Sequence, residues 1–186
     1  MSLEFNRRSF LKYSAAAAVA VAGSSLLTGC GEDEYQKTGK IGSTLKLMGT
    51  FKTYKSAVEP TKAPAYDATN NTFTCTVNIK CTTKKVPLYV TNECFELTVT
   101  RGTTEKNYAK NSITIDHEEY DLKESEDAKD FKLTIKDVDI KAGDKVELKY
   151  WPRIQASSGN SGYTRAFCTW KMDAKVGTSS SSIVLE

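Results

Sequence analysis

The sequence predicts an all-β protein, a single antiparallel β-sandwich that follows an N-terminal segment of different character. Three observations carry this. From residue 45 onward apolar residues recur with period two far more often than with period 3.6. The runs are short, rich in Thr, Val, Ile and aromatic residues, and separated by turn-forming clusters. No stretch keeps helical spacing for about 10 residues, so a large helix is not expected.

Taken in order, Leu45, Leu47 and Phe51 alternate with Lys46, Met48 and Lys52. Phe73, Cys75, Val77, Ile79 and Cys81 then share one face, against Thr74, Thr76, Asn78 and Lys80 on the other. Val86–Thr91 follows, and next Phe95, Leu97 and Val99 against Glu96 and Thr98. Further strands centre on Ile113/Ile115, on Phe131, Leu133 and Ile135, and on Val146, Leu148 and Tyr150. Thr164–Met172 is the last strong run, with Ser182–Leu185 as a closing edge. Between Phe131 and Trp151 one strand passes through Val138 and Ile140 to Ala142-Gly143-Asp144, and another begins at Lys145. Gly143 suits the positive φ that such a corner needs. This passage resembles the strand-corner-strand segment of immunoglobulin-like bacterial sandwiches, a likeness over about 20 residues. Cys75, Cys168 and Trp170 point the same way, although Trp170 neighbours a cysteine strand instead of lying on a separate one.

The N-terminus reads as an export address. Arg7, Arg8 and Lys12 form a basic region, Ala15 to Leu27 an apolar run, and Leu27-Thr28-Gly29-Cys30 a small-residue processing site. The apolar run is too short and too rich in Ala, Gly and Ser for a spanning helix, which needs about 20 predominantly apolar residues. Asn6-Arg7-Arg8-Ser9-Phe10-Leu11-Lys12 resembles the twin-arginine (Tat) export signal, departing from its pattern only at Asn6. Leu27 to Cys30 resembles the lipobox of bacterial lipoproteins at every position. The two resemblances imply a signal peptide over residues 1–29 and acylation of Cys30 (palmitate or a similar chain) as the new N-terminus. Two acyl chains give stable anchoring where one gives only marginal binding. The expected localisation is the extracytoplasmic face of the cell membrane, with the bilayer as a partner through Cys30. Residues 30–44 then read as a polar tether and residues 45–186 as the sandwich domain.

Removing residues 1–29 leaves 157 residues, lowers Lys+Arg from 26 to 23 and Asp+Glu from 23 to 22, and so leaves a formal charge of +1. That balance lacks the concentrated basic face of a nucleic-acid binder, and no nucleic-acid partner is expected. Four cysteines remain beside Cys30, an even number that outside the membrane suggests two disulfides. Strand phase favours Cys75–Cys168 through the core, with Cys81–Cys94 closing a local loop. The first would remove unfolded-state freedom worth about 4 kcal/mol. Because Tat cargo folds before export, in a reducing cytosol, free buried thiols are the alternative. Metal ligation is a further one, though Cys75, Cys81 and Cys94 lack a CxxC pair or a paired histidine.

Several groups are candidates for chemistry. His117, the sole histidine, sits in Asp116-His117-Glu118-Glu119-Tyr120 with no nucleophile-elbow motif near Ser112 or Ser125, and reads as a loop histidine. Asp116 to Asp130 holds eight carboxylates, from which Asp116, Glu118 and Asp121 are the calcium candidates. Their spacing lacks EF-hand order, and a solvated acidic loop is the plainer reading. The segment from Tyr150 to Tyr163 brings Trp151, Arg153, Tyr163 and Arg165 around a Ser/Gly-rich loop. Aromatic area and guanidinium forks are the usual hot spots of recognition surfaces. Phosphate-cradling glycine loops, HExxH and CxxCH are absent, no cofactor is expected and no catalytic residue is assigned. The preferred function is therefore a non-enzymatic binding or interaction module for a cell-surface protein or glycan. A structural or accessory subunit of an envelope complex is the alternative, and a small extracytoplasmic hydrolase a further one.

Overall fold

The computed structural model describes residues 36–48, 55–81, 88–117, 120–122, 129–155, 161–163, 166–178 and 182–186, and every structural statement concerns these. Residues 33–186 cluster as one compact unit. The fifteen strands are β1 (Gln36–Lys40), β2 (Leu45–Met48), β3 (Lys55–Asp67), β4 (Thr72–Cys81), β5 (Leu88–Val90), β6 (Phe95–Arg101), β7 (Thr104–Tyr108), β8 (Ile113–Ile115), β9 (Tyr120–Leu122), β10 (Lys129–Ile135), β11 (Lys145–Tyr150), β12 (Arg153–Gln155), β13 (Ser161–Tyr163), β14 (Phe167–Val176) and β15 (Ile183–Leu185). The protein is all-β, as the periodicity predicts, and the only helical turns described are 3-10 turns at Asn92–Cys94 and Lys110–Ser112.

One large sheet runs in the order β7-β6-β11-β14-β15-β3-β4-β10-β8, with β1 added on β14 and β2 on β3; a smaller sheet runs β13-β12-β5-β9. The large sheet is nearly closed. Its two edge strands, β7 and β8, are joined directly through Lys110–Ser112, and the Asn92 amide bridges that join by donating to Lys110 O and Ile113 O. The pairings are antiparallel except one: β1 lies parallel to β14, Gln36 opposite Phe167 and Lys40 opposite Lys171. The end of the segment read as a tether is thus paired into the sheet.

Alternation sets the core. Phe73, Cys75, Val77 and Ile79 of β4 are buried, and Val77, Cys75 and Phe73 stand opposite Phe131, Leu133 and Ile135 of β10. Leu97 and Val99 of β6 face Leu148 and Val146 of β11, which in turn face Trp170 and Met172 of β14. Each such large side chain contributes about 1.5–3 kcal/mol on full burial. Trp170 is fully buried, and its indole N–H donates to Ser43 O at 2.9 Å, fastening the turn after β1 across the core. In β3, Pro60 and Pro64 interrupt the ladder to β4, with register shifts between Pro60 and Lys62 and between Lys62 and Ala65; proline has no N–H to donate there.

The cysteines depart from expectation. Cys75, Cys94 and Cys168 are buried free thiols, so neither the Cys75–Cys168 nor the Cys81–Cys94 link is formed. Strand phase predicts the face correctly but says nothing about level along the strand. The ladder from Thr74 runs to Ala65, Val184 and then Lys175, seven residues beyond Cys168. Cys75, the next residue on β4, is therefore level with Ala174, six residues from Cys168; at about 3.3 Å per residue that is an offset of ~20 Å, whereas a disulfide needs Cα atoms within about 7 Å. The side chain of Cys81 lies outside the described residues. Burial pushes the Cys75 thiol up to about 12, and raises Cys94 and Cys168 as well, which keeps all three protonated and unreactive.

Candidate functional site

The β6–β11 pair ends in an arginine cluster on each side, about 20 Å apart along the strands. At one end Arg101 makes a bidentate pair with Asp144, Nε to Oδ1 at 2.9 Å and Nη2 to Oδ2 at 2.8 Å, and Nη1 reaches Asp139 at 2.9 Å. The Asp144 side chain is only 3% exposed and also accepts from Lys141 N–H, closing the Lys141–Asp144 corner in which Gly143 has φ +92°. The Arg101 hydrogen bonds hold the Asp144 and Asp139 carboxyls below the usual range. Two tyrosines clamp the approach to this corner. The Tyr66 hydroxyl donates to Val138 O at 2.8 Å and accepts from Ile140 N–H, and the Tyr108 hydroxyl accepts from Asp139 N–H. An open groove of about 630 Å³ nearby is lined by Tyr66, Asp67, Asn70 and Lys136, and Asp67 already accepts from Thr69 and Asn70 within its own turn.

At the other end the small sheet brings together residues far apart in sequence. Arg153 stands opposite Tyr163, Ile154 opposite Leu88, and Tyr89 opposite Asp121. The Ile154–Leu88 register sets Arg153 level with Tyr89, so Tyr163, Arg153, Tyr89 and Asp121 fall in one cross-strand row. The Arg153 guanidinium lies 5.3 Å from the centre of the Tyr89 ring and donates from Nη1 to Glu93 Oε2 at 3.0 Å. Glu93 lies within the Thr91-capped 3-10 turn and also pairs with Lys110. Its carboxylate thus joins β12 to the edge-to-edge link of the large sheet.

Trp151 turns the opposite way, toward β14. Its ring is 6.0 Å from that of Phe167, and Lys149 Nζ lies 4.8 Å from the Trp151 centroid and 5.1 Å from that of Phe167. Trp151 N–H donates to Cys94 O at 2.8 Å, which fixes the exit of β11 against the start of β6. Trp151, Phe167 and Lys149 are all half-buried.

Of the predicted recognition residues, then, Arg153 and Tyr163 are cross-strand partners, while Trp151 belongs to a neighbouring cluster. Arg165, Glu118 and Cys30 lie outside the described residues, and of Tyr163 and Asp121 only the backbone is described. Asp116 accepts from Lys132 N–H at 2.9 Å. His117 sits on the bend after β8, its ring edge-on to Phe131 at 6.2 Å. Among the described residues no group of three His, Cys, Asp or Glu side chains converges as metal ligands would. Sequence reasoning misses Tyr89, Glu93, Lys110, Lys149 and Phe167. Each takes part in a contact between residues 17 or more positions apart, for which no local signal exists.

The class these features define is an exported all-β protein with an aromatic and cationic end. Residues 4–24 match the TAT (twin-arginine translocation) pathway signal sequence, which directs the chain across the cytoplasmic membrane. No curated protein matches the chain, and no solved structure does.

Proposed function

We propose that the chain is a lipid-anchored, extracytoplasmic binding module with no catalytic activity, held by acylated Cys30 and recognising a cell-surface protein or glycan through the small sheet. The observation that carries the recognition reading is the row Tyr163, Arg153, Tyr89 and Asp121, in which aromatic and charged residues alternate across four strands. Arg153, fixed by Tyr89 and Glu93, loses little further freedom on binding, and tyrosine offers a flat face to a sugar or side chain. The anchor reading is supported by the Leu27–Cys30 lipobox, which begins three residues after the matched Tat segment ends. The scaffold is read as an immunoglobulin-like variant, on the strength of the tyrosine-clamped corner between β10 and β11. A docking subunit would favour a wide apolar face, whereas among the described residues the exposed large apolar side chains are Val176 and Val184.

The test is crosslinking on intact cells followed by mass spectrometry, with wild type beside Tyr89→Ala and Arg153→Ala. A partner captured by wild type and lost by both variants, with melting temperatures retained, is the expected outcome. Equal capture by all three removes the small sheet from the reading. Acyl-chain labelling lost in Cys30→Ser tests the anchor separately.

A further inference from the structure

We infer that the Lys149–Trp151–Phe167 face rests on the bilayer that holds the chain, so that the domain is oriented by an aromatic contact as well as by its lipid. The inference rests on the acylated-Cys30 reading, and the reach of the chain carries it. β1 begins at Gln36, and parallel register sets Gln36 opposite Phe167. Only six residue steps separate Cys30 from Gln36. A fully extended chain covers about 3.3–3.6 Å per step, so Gln36 lies no more than about 22 Å from Cys30. One interstrand spacing of about 4.8 Å adds Phe167. From there β1 and β14 both run away from the tether, toward Lys40 and Val176, and the Arg101 corner lies at that far end of β11. The end bearing Trp151 and Phe167 is therefore the end the tether draws to the membrane.

The chemistry of that end suits an interface between water and hydrocarbon. Trp rings settle at headgroup depth, and a lysine stem can lie on apolar surface while its ammonium reaches a phosphate. Lys149 already lies over both rings, and Trp151 and Phe167 keep part of their surface open. Net charge plays a different part. The tether carries Glu32, Asp33 and Glu34, which anionic lipid repels, so the contact draws on aromatic burial more than on charge. It should form on zwitterionic lipid and survive high salt.

The two tryptophans make a clean probe, because Trp170 is fully buried and Trp151 is not. The mature lipoprotein, purified from membranes and its acylation confirmed by the mass of its N-terminal peptide, is reconstituted in phosphatidylcholine vesicles containing lipid brominated near the headgroup end of its chains. The expected result is loss of the Trp151 emission, unchanged in about 1 M salt, where the Debye length is about 3 Å. Trp151→Phe should leave only unquenched Trp170 emission, and Lys149→Glu should weaken the quenching. Unquenched emission from protein shown to be acylated overturns the contact while leaving the anchor intact. Quenching abolished by salt also overturns it, in favour of a charge-driven contact. An unacylated N-terminal peptide overturns the anchor reading and the contact with it.

Discussion

The two ends of the β6–β11 pair each spend an arginine differently. Arg101 is half-exposed, yet it serves a carboxylate that is almost wholly buried, and the N–H groups of Lys141, Gly143 and Asp144 in that corner all donate to neighbouring protein oxygens. Arg153 is the less exposed of the two, and its partner Glu93 is open to a similar degree, so neither is isolated from water. A buried carboxylate left alone is costly, whereas a partly hydrated one recovers its solvation. The first end is therefore built for stability. The second holds aromatic and cationic side chains in place without enclosing them, as a binding surface requires. The tether enters at this second end, through β1 beside Phe167.

Substitutions can break this contrast. Asp144→Ala should have the largest effect, about 2–3 kcal/mol of stability, because the Lys141 N–H and the Arg101 fork lose their acceptor together. Urea unfolding measures it, and a loss under about 0.5 kcal/mol would equate the two ends. The same site should dominate acid sensitivity. Asp144 and Asp139 have folded-state pKa values below their unfolded ones, so their stabilisation is complete above the ordinary carboxylate range and is lost as pH falls through the lowered values. Thermal melts below about pH 4 should show this loss, and Asp144→Asn should flatten it. Tyr108→Phe should cost about 1 kcal/mol, by removing the acceptor for Asp139 N–H. Arg153→Ala should cost least, under about 1 kcal/mol, since Glu93 keeps Lys110, and yet it should lower partner capture. A large stability loss from Arg153→Ala would make that end a structural staple too.

A smaller test concerns the thiols. With Cys75 raised to about 12 and Cys168 fully buried, these two thiols should resist alkylation at neutral pH in the native protein and label only on unfolding. Labelling of Cys75 in the native state, measured by mass, would show that the β4–β10 layer opens locally.

The strands legible in the sequence are those with one apolar face: β4, β6, β10, β11 and β14 follow the alternation closely. β7 and β1 were not legible, because the polar runs Thr104–Tyr108 and Gln36–Lys40 lie at sheet edges and bury little. β3 was obscured by Pro60 and Pro64, which its register shifts accommodate. At the candidate site Arg153 and Tyr163 stand out as residue types beside a Ser/Gly-rich run. Tyr89 and Glu93 do not, since a tyrosine in a short strand and a glutamate in a capped turn are ordinary until β12 is laid beside β5.

By itself the sequence determined the export signal, the all-β class and the inward face of each major strand, because these depend on local order and period-two spacing. Tertiary structure alone decided which strands are neighbours, and with them the separation of Cys75 from Cys168 and the division of Trp151 from Arg153 between two clusters. Alternation records which side of a sheet a residue faces; level and partner come from long-range pairing, whose loop-closure cost and packing gain are properties of the whole chain.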